Sequence, residues 1–79
     1  MKIDVLVAEI GSTTTVVNAF NNINSPDPVF LGQGQAPTSV LEGDVRIGLN
    51  SAIDDLAENL NAQSIEYTEM IATSSAAGG

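Results

Sequence analysis

The sequence contains neither cysteine nor histidine. Without cysteine it has no disulfide framework, thiolate catalysis or Cys-type zinc site, and without histidine it lacks the most frequent general base. Basic residues are scarce as well, because Lys2 and Arg46 stand against ten acidic residues and leave a net charge of −8. This charge argues against binding to nucleic acid or to an anionic membrane. Any phosphate must therefore be held by backbone N–H groups, hydroxyl groups or a metal ion.

Long apolar runs and large side chains are also few. The apolar run Val5–Ile10 is interrupted by Glu9, which predicts neither a signal peptide nor a membrane span. Three aromatic residues in 79 leave the core to Val, Ile, Leu and Ala. We therefore expect one small, soluble, cytoplasmic domain.

The apolar pattern predicts four strands and one helix. Both alternating faces of the first strand are apolar, which is typical of a central strand covered on both sides. Turn formers between residues 21 and 28 separate two further strands of an antiparallel meander. Asp44 is a plausible N-cap for a helix with one apolar stripe. The predicted strands are residues 3–10, 14–21, 28–36 and 66–73, and the predicted helix is residues 44–61.

A helix between the third and fourth strands requires a crossover, so the fourth strand is expected to lie parallel to the first. The sequence thus predicts an α/β fold in which Met70, Ile71 and Ala72 are buried. Glu9 would then lie beside Thr73 and Ser74, at the carboxyl ends of neighbouring strands, where open α/β sheets bind ligands. Because the chain stops soon after this strand, we expect it to be a fragment.

The turn between the first two strands has the residue types of a phosphate site. Gly11 permits a tight turn and close approach of the backbone, and the N–H and hydroxyl groups of Ser12, Thr13 and Thr14 can converge on phosphate oxygens. Glu9 can hold Mg²⁺ through water, as that ion usually takes one or two carboxylates. The alternative is a common hydroxyl-rich surface turn with a solvated Glu9, and the residue types leave both open.

A second segment of small residues, residues 73–79, follows the fourth strand. Ser74, Ser75, Gly78 and Gly79 would let a nucleotide approach the backbone closely, and a flexible tail is the alternative. On the helix, three acidic residues are assigned to a solvated face without a functional role: Asp54, Asp55 and Glu58.

The segment Glu9-Ile10-Gly11-Ser12-Thr13-Thr14-Thr15 resembles the first phosphate motif of the ATPase superfamily of actin, heat-shock chaperones and acetate and sugar kinases. The predicted strand order resembles the ribonuclease-H-like fold of that superfamily. More narrowly, Val5–Thr15 together with Ala72–Gly79 is similar to MutL, also called GlmL, the accessory protein family of adenosylcobalamin-dependent glutamate (methylaspartate) mutase. The mismatch-repair protein of the same name is unrelated.

This resemblance spans essentially the whole chain. It implies ATP and Mg²⁺ as ligands, ATP hydrolysis by the complete protein, and a role in reactivating the mutase by exchange of damaged cobalamin. Family members are several times longer, so it implies an N-terminal part that is inactive alone. Glu9 stands where the superfamily usually has aspartate, and Val16 where many members have lysine. Magnesium or a later segment must therefore supply the missing positive charge.

Two other functions fit the residues. One is a non-enzymatic interaction domain that self-associates through the exposed edge of the meander or through uncovered apolar faces. The other is part of a sugar or carboxylate kinase of the same superfamily, whose acceptor site would lie downstream. Because a short chain leaves apolar sheet and helix surface uncovered, we also expect a homo-oligomer.

Overall fold

The computed structural model describes residues 1–38 and 45–74, which form a mixed sheet with one helix on one of its faces. The sheet order is β3-β2-β1-β4, in which β2 runs antiparallel to β1 and to β3 while β4 runs parallel to β1. This arrangement confirms the α/β fold with an antiparallel meander, a crossover helix and a parallel fourth strand. The elements are β1 (Lys2–Ile10), β2 (Thr14–Asn21), β3 (Val29–Pro37), α1 (Val45–Asn59) and β4 (Glu66–Ser74).

Helix α1 ends in a Schellman motif at Asn61. Asn61 has a φ of 55°, in the left-handed region that asparagine tolerates. Its N–H donates to the carbonyl of Glu58 at 3.1 Å, and the N–H of Ala62 donates to the carbonyl of Ala57 at 2.8 Å. These bonds satisfy carbonyls that the helix end leaves free, so α1 stops at Asn59, before the predicted end at residue 61. The predicted N-cap, Asp44, lies outside the described residues.

The core lies between α1 and one face of the sheet. By register, Leu6 faces the same way as Ala19, and Ala8 the same way as Val17. Helix α1 packs mainly on β3 and β2 and touches β1 only at its margin. In the described parts of the chain, no helix is long and apolar enough to cross a membrane. The buried cluster comprises Ile3, Leu6, Ala8, Val17, Ala19, Ala36, Ala52 and Leu56.

Gly34 lets α1 lie directly on the backbone of β3. A Cβ atom at position 34 would overlap the carbonyl oxygen of Ala52 and the backbone nitrogen of Leu56, and would lie 2.8 Å from the Cα atom of Leu56. At Gly32 a Cβ atom would meet Cδ2 of Leu60 at 2.8 Å, which is the end of a flexible side chain. The sequence suggests only that glycine weakens this strand, whereas the structure shows that the helix–sheet contact requires Gly34.

The outer edge of β3 is closed by side chains of α1. The N–H of Gln35 donates to Oδ2 of Asp55 at 2.9 Å, and Nδ2 of Asn59 donates to the carbonyl of Gln33 at 2.8 Å. Unpaired groups on an edge strand otherwise invite pairing with another chain. The assignment of Asp55 to a merely solvated face is therefore wrong, because its carboxylate binds the edge of the sheet.

Strand β4 forms the other edge, and its predicted burial is largely wrong. Met70 is half-buried, Ala72 is exposed, and Ile71 keeps 46% of its surface exposed. The physical reason is the position of α1, which packs mainly on β3 and β2 and leaves most of β4 uncovered. Burial of β4 depends on where the helix crosses, and strand periodicity carries no information about that position.

The face of the sheet opposite α1 is covered only in part, by side chains of the sheet itself. Val5 is buried in register with Phe20, whose ring centroid lies 5.5 Å from that of Phe30. Within residues 1–38 and 45–74, no second helix lies on this face. The expectation that both faces of the first strand are covered is thus met on the face toward α1 and only in part on the other, where Val5 is buried but Val7 is half-buried and Glu9 is exposed.

Replacement of Gly34 by alanine should destabilise the fold, because its methyl group cannot be placed without moving the backbone of α1. We expect a loss of about 2–3 kcal/mol in the free energy of unfolding, at the upper end of overpacking costs. Gly32→Ala is the matched control and should cost about 1 kcal/mol, since the side chain of Leu60 can rotate away. Urea unfolding of both variants measures the difference, and equal midpoints would contradict the direct helix–strand contact.

Candidate functional site

A groove of about 510 Å³ lies where β1 and β4 end and the turn into β2 begins. The parallel pairing places Glu9 opposite Thr73 and Ile10 opposite Ser74. The two segments singled out in the sequence therefore meet at one groove, at the carboxyl ends of two neighbouring strands. It is lined by Glu9, Ile10, Gly11, Thr14, Val16, Thr73 and Ser74.

The other site residues expected from the sequence fall into two groups. Ser12 and Thr13 occupy the exposed tip of the turn beside the groove and do not line it. Ser75, Gly78 and Gly79, expected in a second nucleotide-facing loop, lie outside the described residues. Of that segment, the structure therefore describes Thr73 and Ser74, which both line the groove.

The carbonyl groups of the turn are held within the protein. The N–H of Gly11 donates to the carbonyl of Thr14 at 3.0 Å and closes the turn. The carbonyl of Gly11 accepts the hydroxyl of Thr38 at 2.8 Å, and the carbonyl of Thr13 accepts the N–H of Thr38 at 3.0 Å. Three of the acceptors that this turn could offer to a ligand are thus already used.

The donors of the turn remain open. In the described part of the chain, the N–H groups of Ser12 and Thr13 make no hydrogen bond, and both residues are exposed. The side chain of Thr14 is exposed as well and adds a hydroxyl group at the groove wall. A turn whose acceptors point inward and whose donors point outward is suited to an anion, because successive free N–H groups form a positive concavity.

Thr15 has a different role from the hydroxyl residues before it. It is fully buried, and its Oγ1 lies 2.9 Å from Oγ1 of Thr38. Since Thr38 gives its one hydroxyl proton to the carbonyl of Gly11, Thr15 must be the donor of this pair. The hydroxyl of Thr15 is therefore an internal brace and is not available to a ligand.

Thr38 is the residue that the sequence analysis missed, because residues 37–43 read as a plain connection. The position of Thr38 relative to the paired strands could have revealed its role. In the β2–β3 pairing Thr14 lies opposite Pro37, so the residue directly after β3 must lie beside the turn that precedes β2. A hydroxyl residue at that register position can reach the turn carbonyls.

The groove has little charge of its own. Glu9 is exposed at its wall in register with Val16, and none of the described residues that line it is lysine or arginine. Across the described residues, no three acidic, histidine or cysteine side chains gather where they could hold a metal ion. One carboxylate still suits Mg²⁺, which keeps several waters and takes its remaining ligands from phosphate oxygens.

Comparison with known proteins identifies the family. Residues 5–79 match the family described as MutL protein. This range includes all of the groove residues and nearly the whole chain. No curated protein matches the sequence. The chain therefore belongs to the MutL family, the accessory proteins of glutamate mutase.

Replacement of Thr15 by valine should lower stability, because it removes a buried hydrogen bond at nearly constant volume. We expect a loss of about 1 kcal/mol in the free energy of unfolding. The matched control is Thr14→Val, whose exposed hydroxyl should matter by less than about 0.5 kcal/mol. Urea unfolding distinguishes the two positions. An equal effect of both variants would show that the Thr15–Thr38 bond does not brace the turn.

Proposed function

We propose that this member of the glutamate mutase accessory family supplies the first phosphate-binding turn of an ATP site. The observation that carries the proposal is the division of hydrogen-bonding groups in this turn. The carbonyls of Gly11, Thr13 and Thr14 accept hydrogen bonds from within the protein, while the N–H groups of Ser12 and Thr13 stay open. The proposed phosphate ligands are the N–H groups of Ser12 and Thr13 and the hydroxyl of Thr14. Gly11, whose own N–H is bonded to the carbonyl of Thr14, belongs to the proposed site as the residue that lets the backbone approach the phosphate closely. Open backbone donors suit a phosphate in this protein, because a chain with only two basic side chains must bind phosphate mainly through N–H and hydroxyl groups.

Mg²⁺ is the second ligand in this proposal, held through water by Glu9. A chain of net charge −8 repels free ATP, and the groove wall contributes a further carboxylate. Bound Mg²⁺ reverses this repulsion, because it neutralises part of the phosphate charge and its waters can donate to Glu9. The proposal therefore requires Mg-ATP as the ligand, with free ATP bound more weakly.

The second wall of the groove belongs to the same proposed site. Thr73 and Ser74 stand opposite Glu9 and Ile10 in the parallel pair, where small side chains leave room for a nucleotide. In this proposal Ser74, Ser75, Gly78 and Gly79 form the second nucleotide-facing segment. Residues on two adjacent strand ends would then hold one ligand, as is usual for open α/β sheets.

The partner of the complete protein is proposed to be the cobalamin-dependent mutase, which follows from the family. In this proposal the chain acts as an N-terminal part, and ATP hydrolysis by the complete protein drives exchange of damaged cobalamin. The chain alone should not turn ATP over, because one phosphate turn on an open groove does not enclose the reacting phosphate. Membership of the MutL family favours this function over the sugar or carboxylate kinase that the residues alone leave open.

Titration with Mg-ATP, followed through the amide signals of residues 11–15, tests the proposal. We expect these signals to shift at millimolar nucleotide, and we expect Glu9→Gln to weaken binding about 10-fold because the magnesium anchor is lost. The matched control is Glu66→Gln, which makes the same change of charge at the start of β4 and should leave the affinity unchanged.

The sign of the Glu9→Gln effect separates two roles for this carboxylate. If Glu9 only repels phosphate, its removal strengthens binding, and the assignment to Mg²⁺ is wrong. If the amide signals do not move at all in the wild-type chain, the turn is an ordinary surface turn and the proposal as a whole fails.

A second candidate function, self-association, is favoured by the exposed edge of the sheet at β4. Every residue of β4 except Met70 is exposed, and Tyr67 and Ile71 show 41% and 46% of their surface. The outer edge of β3 is closed by α1, so β4 offers the edge along which a second copy would pair. The acidic side chains Glu66 and Glu69 on this strand oppose such pairing at low salt.

Sedimentation velocity tests this second function. We expect a dimer that Ile71→Lys dissociates, because a charge on the exposed strand opposes burial in an interface. Ile47→Lys is the matched control, since Ile47 is 52% exposed and lies on α1, which packs mainly on β3 and β2. A wild-type chain that stays monomeric at millimolar concentration contradicts self-association.

A further inference from the structure

We propose that Thr38 is a positioning residue for the phosphate-binding turn. Its hydroxyl fixes the peptide group between Gly11 and Ser12 so that the N–H of Ser12 points away from the protein interior and toward a ligand at the groove. This inference rests on the proposed function. It means that a residue outside the turn controls how the peptide groups of the turn are oriented.

Two hydrogen bonds from Thr38 hold the turn on either side of Ser12. Its hydroxyl donates to the carbonyl of Gly11 at 2.8 Å, and its N–H donates to the carbonyl of Thr13 at 3.0 Å. A single residue, attached to the end of β3, thus fixes the residues before and after Ser12. Rotation of either peptide group requires one of these bonds to break.

The planarity of the peptide group links the carbonyl of Gly11 to the donor of Ser12. In a trans peptide the C=O and the following N–H point in opposite directions. When Thr38 holds the carbonyl of Gly11 inward, the N–H of Ser12 is therefore directed outward. Glycine at position 11 offers little steric resistance to a flip of this peptide, so the hydroxyl of Thr38 supplies the restraint that a side chain at position 11 would otherwise contribute.

The buried hydroxyl of Thr15 also binds Thr38, but it is not needed for the bond from Thr38 to Gly11. Thr15 is fully buried and donates to Oγ1 of Thr38, which leaves the proton of Thr38 directed at Gly11. The bonds run in one direction, from Thr15 to Thr38 to Gly11. Loss of the Thr38 hydroxyl removes both bonds, whereas loss of the Thr15 hydroxyl leaves the bond to Gly11 in place.

NMR of three variants tests whether the Thr38 hydroxyl orients the peptide group after Gly11. The variants are Thr38→Val, Thr38→Ser and Thr15→Val. The first readout is the carbonyl ¹³C shift of Gly11 without ligand, which reports the hydrogen bond directly. The second readout is the affinity for Mg-ATP from the amide signals of residues 11–15. Thr38→Val should move the Gly11 shift and weaken binding about 10-fold, because the charge-assisted bond from Ser12 is misdirected.

The other two variants are controls for a merely structural role. Thr38→Ser keeps the hydroxyl and should retain the Gly11 shift and an affinity within about 2-fold of the wild type. Thr15→Val should also keep the Gly11 shift and the affinity, although it lowers stability. If Thr38→Val leaves the Gly11 shift unchanged, or if Thr15→Val moves it as far as Thr38→Val does, the inference is overturned.

Two further outcomes are also decisive. If the wild-type chain binds no Mg-ATP, the proposed function fails, and the Gly11 shift without ligand still decides whether Thr38 orients the peptide. If Thr38→Val does not fold, Thr38→Cys replaces it, since cysteine has the same branching as serine but carries a larger sulfur atom that is a weak donor. Thr38→Cys should move the Gly11 shift where Thr38→Ser does not, and an unmoved shift overturns the inference.

Discussion

The structure depends on the close contact between α1 and β3 at Gly34. Because no side chain separates the two backbones there, the helix lies over β3 and β2 and not over the middle of the sheet. The same position brings Asp55 and Asn59 to the outer edge of β3. This one contact thus determines which edge of the sheet is closed and which strand stays exposed. It also leaves the strand ends around the groove free of the helix.

The groove combines a rigid turn with a wall of small residues. Its turn has no cation, yet three of its carbonyls are bonded within the protein while the N–H groups of Ser12 and Thr13 are left open. Partial charges of the backbone thereby take the place of lysine or arginine, which the groove lacks. Val16, in register with Glu9, adds an apolar side chain to the groove and so leaves the hydrogen bonds of the turn undisturbed.

The sequence predicts the fold well where local pattern and chain topology decide it. Alternating apolar residues locate the strands, and the crossover rule makes β4 parallel to β1, which is enough to bring Glu9 beside Thr73 and Ser74. What it does not predict are features that arise when two elements touch. The exposure of Ile71, the need for Gly34 and the bond from Asp55 all depend on where α1 crosses the sheet. The role of Thr38 depends on the register of β2 and β3.

The bonds from Asp55 and Asn59 to β3 also make the two edges of the sheet unequal for pairing with a further strand. With hydrogen-bonding groups of that edge already engaged, a further strand is accepted more readily beside β4. A strand that joined there in parallel would bring its own carboxyl end next to Thr73 and Ser74. Any strand paired in this way would add a wall to the groove, so the shape of the candidate site depends on what pairs with the β4 edge.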